Sequence, residues 1–450
     1  MKKHINPTIT AHLIRGAFYL LPLLTLCSIL FAFGQRWQVE LPAPTGGLCY
    51  PPSWRAGPDM PSTGVRMVGV YFPANGKFYA VGGRSMDGIG NDFTHAFEYA
   101  PNSNTWTIKS ATYPDNQVSN MACGVLTDDG TPSIYCVGGS AGGQTTATNR
   151  VFRYNPITDT IQSIAAPWPG DSDGITLPGG FAVFNNKLYI LGGFQINTAM
   201  TNTIWEFTPG TNVWVLKNAV LPAARGYIPT ATYFNFIYTA GGSDWNGTTL
   251  VDTTDSFKYD PIADSVATVA NIPRATAETR ALKFAGFVGT RCAPSIGVMG
   301  GGRTPPNPSN EVDVFCPDTM WSTSIPFVTA RRNFPTDTDG GNPTCCTGHI
   351  WLAGGYASDG VTPLSSMEIY CSSVPTPSEP PPMSPTATAT ATHTPAATAT
   401  ATFTPTVTTT PTATATLTPS VTPTPSIKPP PPTPRPNITP RTRPTLPPRP

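Results

Sequence analysis

Lys77-Phe78-Tyr79-Ala80-Val81-Gly82-Gly83 is an apolar, aromatic and β-branched run that ends on two glycines. Five more runs end the same way, at Gly138-Gly139, Gly192-Gly193, Gly241-Gly242, Gly301-Gly302 and Gly354-Gly355. The steps between the pairs are 56, 54, 49, 60 and 53 residues. A period near fifty means one supersecondary unit copied side by side. In the first copy, Arg66–Phe72 and Lys77–Gly83 flank Pro73-Ala74-Asn75-Gly76, which is turn chemistry. The polar stretch Arg84–Asp92 follows, too rich in Gly and Asp for regular structure. His95–Ala100 then alternates, Pro101–Asn104 turns, and Thr105–Ser110 alternates again. The pattern predicts four short antiparallel strands per copy, here called a to d, and no helix beyond the N-terminus.

One such sheet cannot bury both of its faces. Copies stacked around an axis cover each other, which predicts an all-β, six-bladed β-propeller. A β-sandwich would not repeat its diglycine six times, and a β-helix coil is about half this period or less.

The later copies keep further landmarks. An aromatic residue near the end of strand c stands seven positions before a bulky residue in strand d: Tyr99 and Trp106, Tyr154 and Ile161, Phe207 and Trp214, Tyr259 and Val266. A proline follows the aromatic by two, at Pro101, Pro156, Pro209 and Pro261, where its fixed φ suits a tight turn. Phe315, Pro317 and Trp321 keep the order in the fifth copy with one residue fewer. The diglycine, the Tyr and the later Trp resemble the kelch repeat. So does the basic residue early in the d–a connection, at Arg225, Arg274 and Arg332. The resemblance spans Arg36 to Cys371 and implies a kelch-type propeller; the Trp is missing from the second and fourth copies.

The sixth copy has no strand d of its own after Met367–Cys371. At the other end, Arg36-Trp37-Gln38-Val39-Glu40-Leu41-Pro42 looks like an orphan strand d, so an N-terminal strand is expected to close the last blade and protect its edge. Before it, Lys2, Lys3 and Arg15 precede an apolar run, and Ala32-Phe33-Gly34 offers small residues for a cut before Gln35. Residues 1–34 therefore read as a signal peptide, or as a membrane anchor if uncleaved. The propeller is assigned to residues 35–373 and a disordered Thr/Pro-rich stalk to 374–450, where apolar side chains are too few to fold.

A cut before Gln35 removes Cys27 from the nine cysteines and leaves an even number, as expected in an oxidising compartment. Asp129-Gly130 is a two-residue hairpin signal, and pairing about it sets Cys123 opposite Cys136 in a non-hydrogen-bonded pair. Cys292 and Cys316 are cross-strand candidates in blade five. Cys345 or Cys346 with Cys371 are candidates in blade six, and Cys49 is left for the other of the adjacent pair.

A net charge of +1 favours neither nucleic acid nor an acidic membrane surface as partner. Walker, nucleophile-elbow and zincin motifs are missing from the sequence. His95 and His349 start strands at opposite ends of different blades, which argues against the two-His, two-Tyr copper site of galactose oxidase-like propellers. No metal, cofactor or catalytic residue is expected. The b–c loops are long and varied and present the candidate ligand-binding residues Arg84, Asp87, Asp244, Trp245, Arg303 and Tyr356. Trp245 and Tyr356 have aromatic faces that can stack on sugar rings. The reading is a secreted or cell-surface, monomeric, non-catalytic module that binds an extracellular protein or glycan. It touches membrane only if its N-terminal segment is retained. The alternative is a secreted carbohydrate-active enzyme, sialic-acid-acting or galactose oxidase-like, with an axial site; the Ser-x-Asp-x-Gly box of sialidases is missing.

Overall fold

In the computed structural model, which describes residues 52–303, 308–317, 320–341 and 348–372, the repeats form six four-stranded antiparallel sheets. Strand a of each blade is innermost: Val68–Phe72, Ala122–Asp128, Thr176–Phe184, Thr230–Tyr233, Ala281–Phe284 and Thr336–Thr338. Each of these touches strand a of the next blade, and the last touches the first, so the ring is closed. The described residues contain no helix.

The diglycines show why the blades sit where they do. The first glycine of all six pairs has a left-handed backbone, with φ 67° at Gly82, 73° at Gly138, 65° at Gly192, 63° at Gly241, 83° at Gly301 and 59° at Gly354. A Cβ there would lie 2.2 Å from the Val118 carbonyl oxygen at Gly82 and 2.3 Å from that of Arg225 at Gly192. The corresponding gaps are 2.4 Å to Thr276 at Gly241 and 2.4 Å to Gly64 at Gly354. Each carbonyl belongs to the segment leading into the next blade. The second glycine then donates its N–H to the same segment, as in Gly83 to Val118 (2.8 Å) and Gly355 to Gly64 (2.7 Å). Glycine is required on two counts, backbone sign and backbone proximity.

The outer landmarks also join neighbouring blades. The Trp106 indole N–H donates to the Pro58 carbonyl at 3.0 Å, Trp214 to Ala166 at 3.0 Å and Trp321 to Ala270 at 2.8 Å. In the c–d turns, Asp159 accepts from the Ser110 N–H at 2.8 Å and Asp264 from that of Asn218 at 2.9 Å, each in the preceding blade.

An N-terminal strand does close blade six, but it is Ser53–Ala56, paired with Met367–Ser372, and not the expected Arg36–Pro42. Trp54 takes the landmark position: its indole N–H donates to Ile325 at 2.9 Å and its ring packs on Phe327 and Tyr370. The run Ser53-Trp54-Arg55-Ala56 is only four residues long and mostly exposed apart from Trp54, so tertiary docking of one indole outweighs strand propensity here. Residues 1–34, Arg36–Pro42 and the tail from 374 lie outside the described residues, as do Cys49, Cys345 and Cys346.

The two other disulfides are present. Cys123 and Cys136 face each other in register with a Cα separation of 4.2 Å, and Cys292 joins Cys316 across blade five. Cys371 is also disulfide-bonded. The b–c connections are more regular than their composition suggests. In blade four Ser243–Trp245 and Leu250–Asp252 form a small hairpin, and in blade three strand b runs on through its diglycine to Gln195.

Two substitutions test this account by denaturant unfolding. Gly82→Ala places a methyl group against Val118 and is expected to cost at least about 2 kcal/mol. Trp54→Ala removes the closing indole and is expected to cost about 3 kcal/mol; a midpoint unchanged from wild type would refute the closure by Ser53–Ala56.

Candidate functional site

A residue two or three positions before strand a, or inside it at Pro178, lies at the axis in every blade. Register fixes these positions through bridges such as Val65 with Arg84, Gly226 with Ser243 and Arg332 with Tyr356. Arg66, Asn120, Pro178, Tyr227, Glu278 and Asn333 follow, and all line one axial cavity of about 70 Å³ on the b–c loop side. Five have left-handed φ: 58° at Arg66, 60° at Asn120, 50° at Tyr227, 59° at Glu278 and 52° at Asn333. For bulky side chains that conformation costs about 1–3 kcal/mol each and gathers at functional sites.

A circuit of backbone hydrogen bonds holds the ring. Asn120 N–H donates to Arg66 (3.1 Å), Arg66 to Asn333 (2.8 Å), Asn333 to Glu278 (2.7 Å) and Glu278 to Tyr227 (3.1 Å). Pro178 has no N–H to donate, and the circuit opens at blade three.

Above this ring sit residues that follow the diglycines. Arg66 Nε donates to the Tyr356 hydroxyl at 3.1 Å and to Asp87 at 3.3 Å. The guanidinium groups of Arg332 and Arg66 lie over the Tyr356 ring, at 4.5 and 5.5 Å from its centre. Arg84 lies 3.7 Å from Asp87 and 3.8 Å from Asp92, and its Nε donates to Ser119 at 3.0 Å. Arg303 and Arg332 both bind the carboxylate of Glu278, whose side chain is fully buried.

The electrostatics follow from burial and crowding. Burial alone would raise the pKa of Glu278, but Arg303, Arg332 and Arg66 outweigh it and hold it down at about 2. Burial, then Asp87, pushes Tyr356 up to about 12 against the pull of Arg66. Burial and the like charge of Arg66 both lower the pKa of Arg84, offset by Asp92 and Asp87. For Asp87, burial is opposed by Arg66, Tyr356 and Arg84, and its pKa is lowered.

Of the residues anticipated from sequence, Arg84, Asp87 and Tyr356 meet around Arg66, while Arg303 joins Arg332 on Glu278. Arg84 is buried rather than solvated. Asp244 and Trp245 instead tie the blade-four hairpin to its neighbours. Asp244 lies 3.6 Å from Arg225, and Trp245 packs on Phe194 at 5.7 Å. Arg66, Tyr227, Glu278 and Asn333 were not anticipated. Arg332, noted in sequence as the basic residue of the d–a connection, pairs with Glu278 at the axis, and its neighbour Arg331 braces blade six, donating to Glu368 at 2.9 Å. His95 and His349 stay apart: His95 bonds the Ala111 carbonyl, and His349 pairs with Asp339.

Comparison with known proteins accords with this architecture. The Kelch motif family model matches residues 123–160, the core of blade two. This repeat is similar to the kelch motif, and it sits in a six-bladed propeller. It is 25% identical over 245 residues to Kelch-like protein terF of Aspergillus terreus, covering 52% of this chain and 50% of that protein. It is 29% identical over 140 residues to Kelch-like protein 35 of Mus musculus, covering 31% and 21%. The chain spans half or less of the length of these curated relatives. Among solved structures, that of YjhT superposes with a TM-score of 0.52 at 15% identity, over 69% of this chain and 96% of YjhT, a likeness of fold.

Glu278 makes the axial cluster testable. Its pKa is depressed, so its stabilising pairing is fully present above the unfolded value near 4.5 and is lost as pH falls towards 2. Glu278→Gln leaves two arginines without a counter-charge and is expected to cost about 3–5 kcal/mol at pH 7. In denaturant titrations at a series of pH values, the gap from wild type should narrow between pH 4.5 and 2.

Proposed function

We propose that this propeller is a non-catalytic binding module that takes an acidic, partly apolar segment of a protein partner on its b–c loop face. One observation carries the reading. Arg66 and Arg84 crowd each other at the axis and share Asp87, whose side chain is 57% exposed. A carboxylate from a partner can take the place of such an exposed counter-ion, with the two arginines and the Tyr356 hydroxyl as donors. Around this centre the loops expose apolar side chains: Met86 and Ile89 in blade one, Val251 in blade four and Val361 in blade six. A charged anchor inside an apolar rim that excludes water suits a protein interface.

The carbohydrate-active reading draws on the same collection of Arg, Tyr and Glu. General acid–base work at neutral pH needs a group titrating near 7. Glu278 is held at about 2, Asp87 is lowered, and Tyr356 is raised to about 12, which favours binding over catalysis. We place the module in an oxidising compartment, secreted or at the cell surface. The Cys123–Cys136 and Cys292–Cys316 disulfides support that placement.

Selection of random displayed peptides on the full chain, beside an array of neutral and acidic glycans, tests the proposal. Enriched peptides should carry Asp or Glu next to apolar residues. Their affinity should fall at least about ten-fold in Arg66→Gln, rise in Asp87→Ala and weaken with salt. Selection of neutral oligosaccharides only, or turnover of a sugar, would sink it.

A further inference from the structure

The far half of the axis holds a second and larger space. A cavity of about 560 Å³ is walled by strand a of all six blades and opens towards the a–b turns. That volume is within the range of small-molecule sites. Phe181 and Arg280 line both this channel and the cavity on the b–c side, so they lie between the two. The Arg280 guanidinium lies over the Phe181 ring, 4.1 Å from its centre.

Arg280 breaks a rule that the other arginines obey. Among the described residues, every arginine that is not exposed has a carboxylate within ion-pair distance except Arg280. Its Nε and Nη1 are buried and have no hydrogen-bond partner. Burial lowers its pKa, and Asp337 offsets this only through space. The Asp337 carboxylate is already engaged by the N–H groups of Tyr71 (2.7 Å) and Thr338 (2.9 Å). A buried guanidinium without its own acceptor is costly unless something else supplies one.

We propose that Arg280 is the anion-binding residue of a second ligand site, in the central channel, for a small monocarboxylate. Asp337 and Asp339 line the same cavity, so a dianion would meet two repelling carboxylates while a single carboxylate can settle on Arg280. The channel is a separate space from the loop-face cavity, with Phe181 and Arg280 as the wall between them. It needs no partner protein, and its ligand would enter from the opposite end of the propeller.

The test uses the full chain, with acetate and inorganic phosphate as probes at constant ionic strength, read by the shift in melting temperature. Acetate should give a saturable rise, and phosphate a weaker one. Arg280→Gln should weaken the apparent acetate affinity at least ten-fold, and Asp337→Asn should tighten it. No saturable response to acetate, an equal response in Arg280→Gln, or phosphate binding more tightly than acetate would each overturn the proposal. Should Arg280→Gln fail to fold, an acetate affinity unchanged or weakened in Asp337→Asn overturns it by itself.

Discussion

The contact between the diglycine and the lead-in of the next blade, made in every blade but the second, is the constraint from which the architecture follows. At Gly82 the backbone has the left-handed sign, and the Val118 carbonyl sits where any Cβ would be. The same meeting recurs at Gly192 with Arg225 and at Gly241 with Thr276. It recurs once more at Gly354 with Gly64, where the last blade finds the first. The chain can leave strand b and turn towards the loop face only if the neighbour's backbone is close enough to accept the glycine N–H. Blade spacing, ring closure and the convergence of the lead-in segments on the axis are thus one geometric fact.

That convergence forces six lead-in residues into a narrow circle, and their chemistry then differs by place. Away from the axis, arginines brace blades against carboxylates of strand c, as Arg274 does with Asp313 at 2.8 Å and Arg331 with Glu368 at 2.9 Å. On the loop side of the axis, Arg303 and Arg332 saturate Glu278, whereas Arg66 and Arg84 share the half-exposed Asp87. Deeper, Arg280 has an aromatic ring in place of a counter-ion. The series runs from fully neutralised to unneutralised cations. Structural roles fall to the first kind and the ligand roles proposed here to the less fully paired arginines, because a buried charge short of partners has the most to gain from one.

Most of the fold was legible in sequence. The diglycine period gave the number of blades, and the turn prolines gave the strand order. Asp129-Gly130 gave a hairpin register good enough to pair Cys123 with Cys136. The closing strand was misplaced because Arg36–Pro42 has better strand chemistry than Ser53–Ala56. The deciding feature, the docking of the Trp54 indole on Ile325, Phe327 and Tyr370, joins residues more than 270 positions apart. At the loop face, the residues after the diglycines were found because they keep a fixed offset from a visible landmark. Arg66, Tyr227 and Glu278 were not, because the a–b hairpins differ in length and erase any constant offset. The step from Arg332 to Arg331 shows the same limit: one position of register exchanges a brace for an axial residue.

The sequence by itself determined the repeating unit, its count and its internal turns, because these are set by local backbone chemistry and by a period that any reader can measure. Only the tertiary structure decided which charges meet. Arg66 and Asp87 are near in sequence, yet Tyr356 reaches them from the other end of the chain, and Phe181 comes to Arg280 from two blades away. Those encounters exist because a closed ring brings distant segments to one axis, and no property of a single segment encodes its neighbour across that circle.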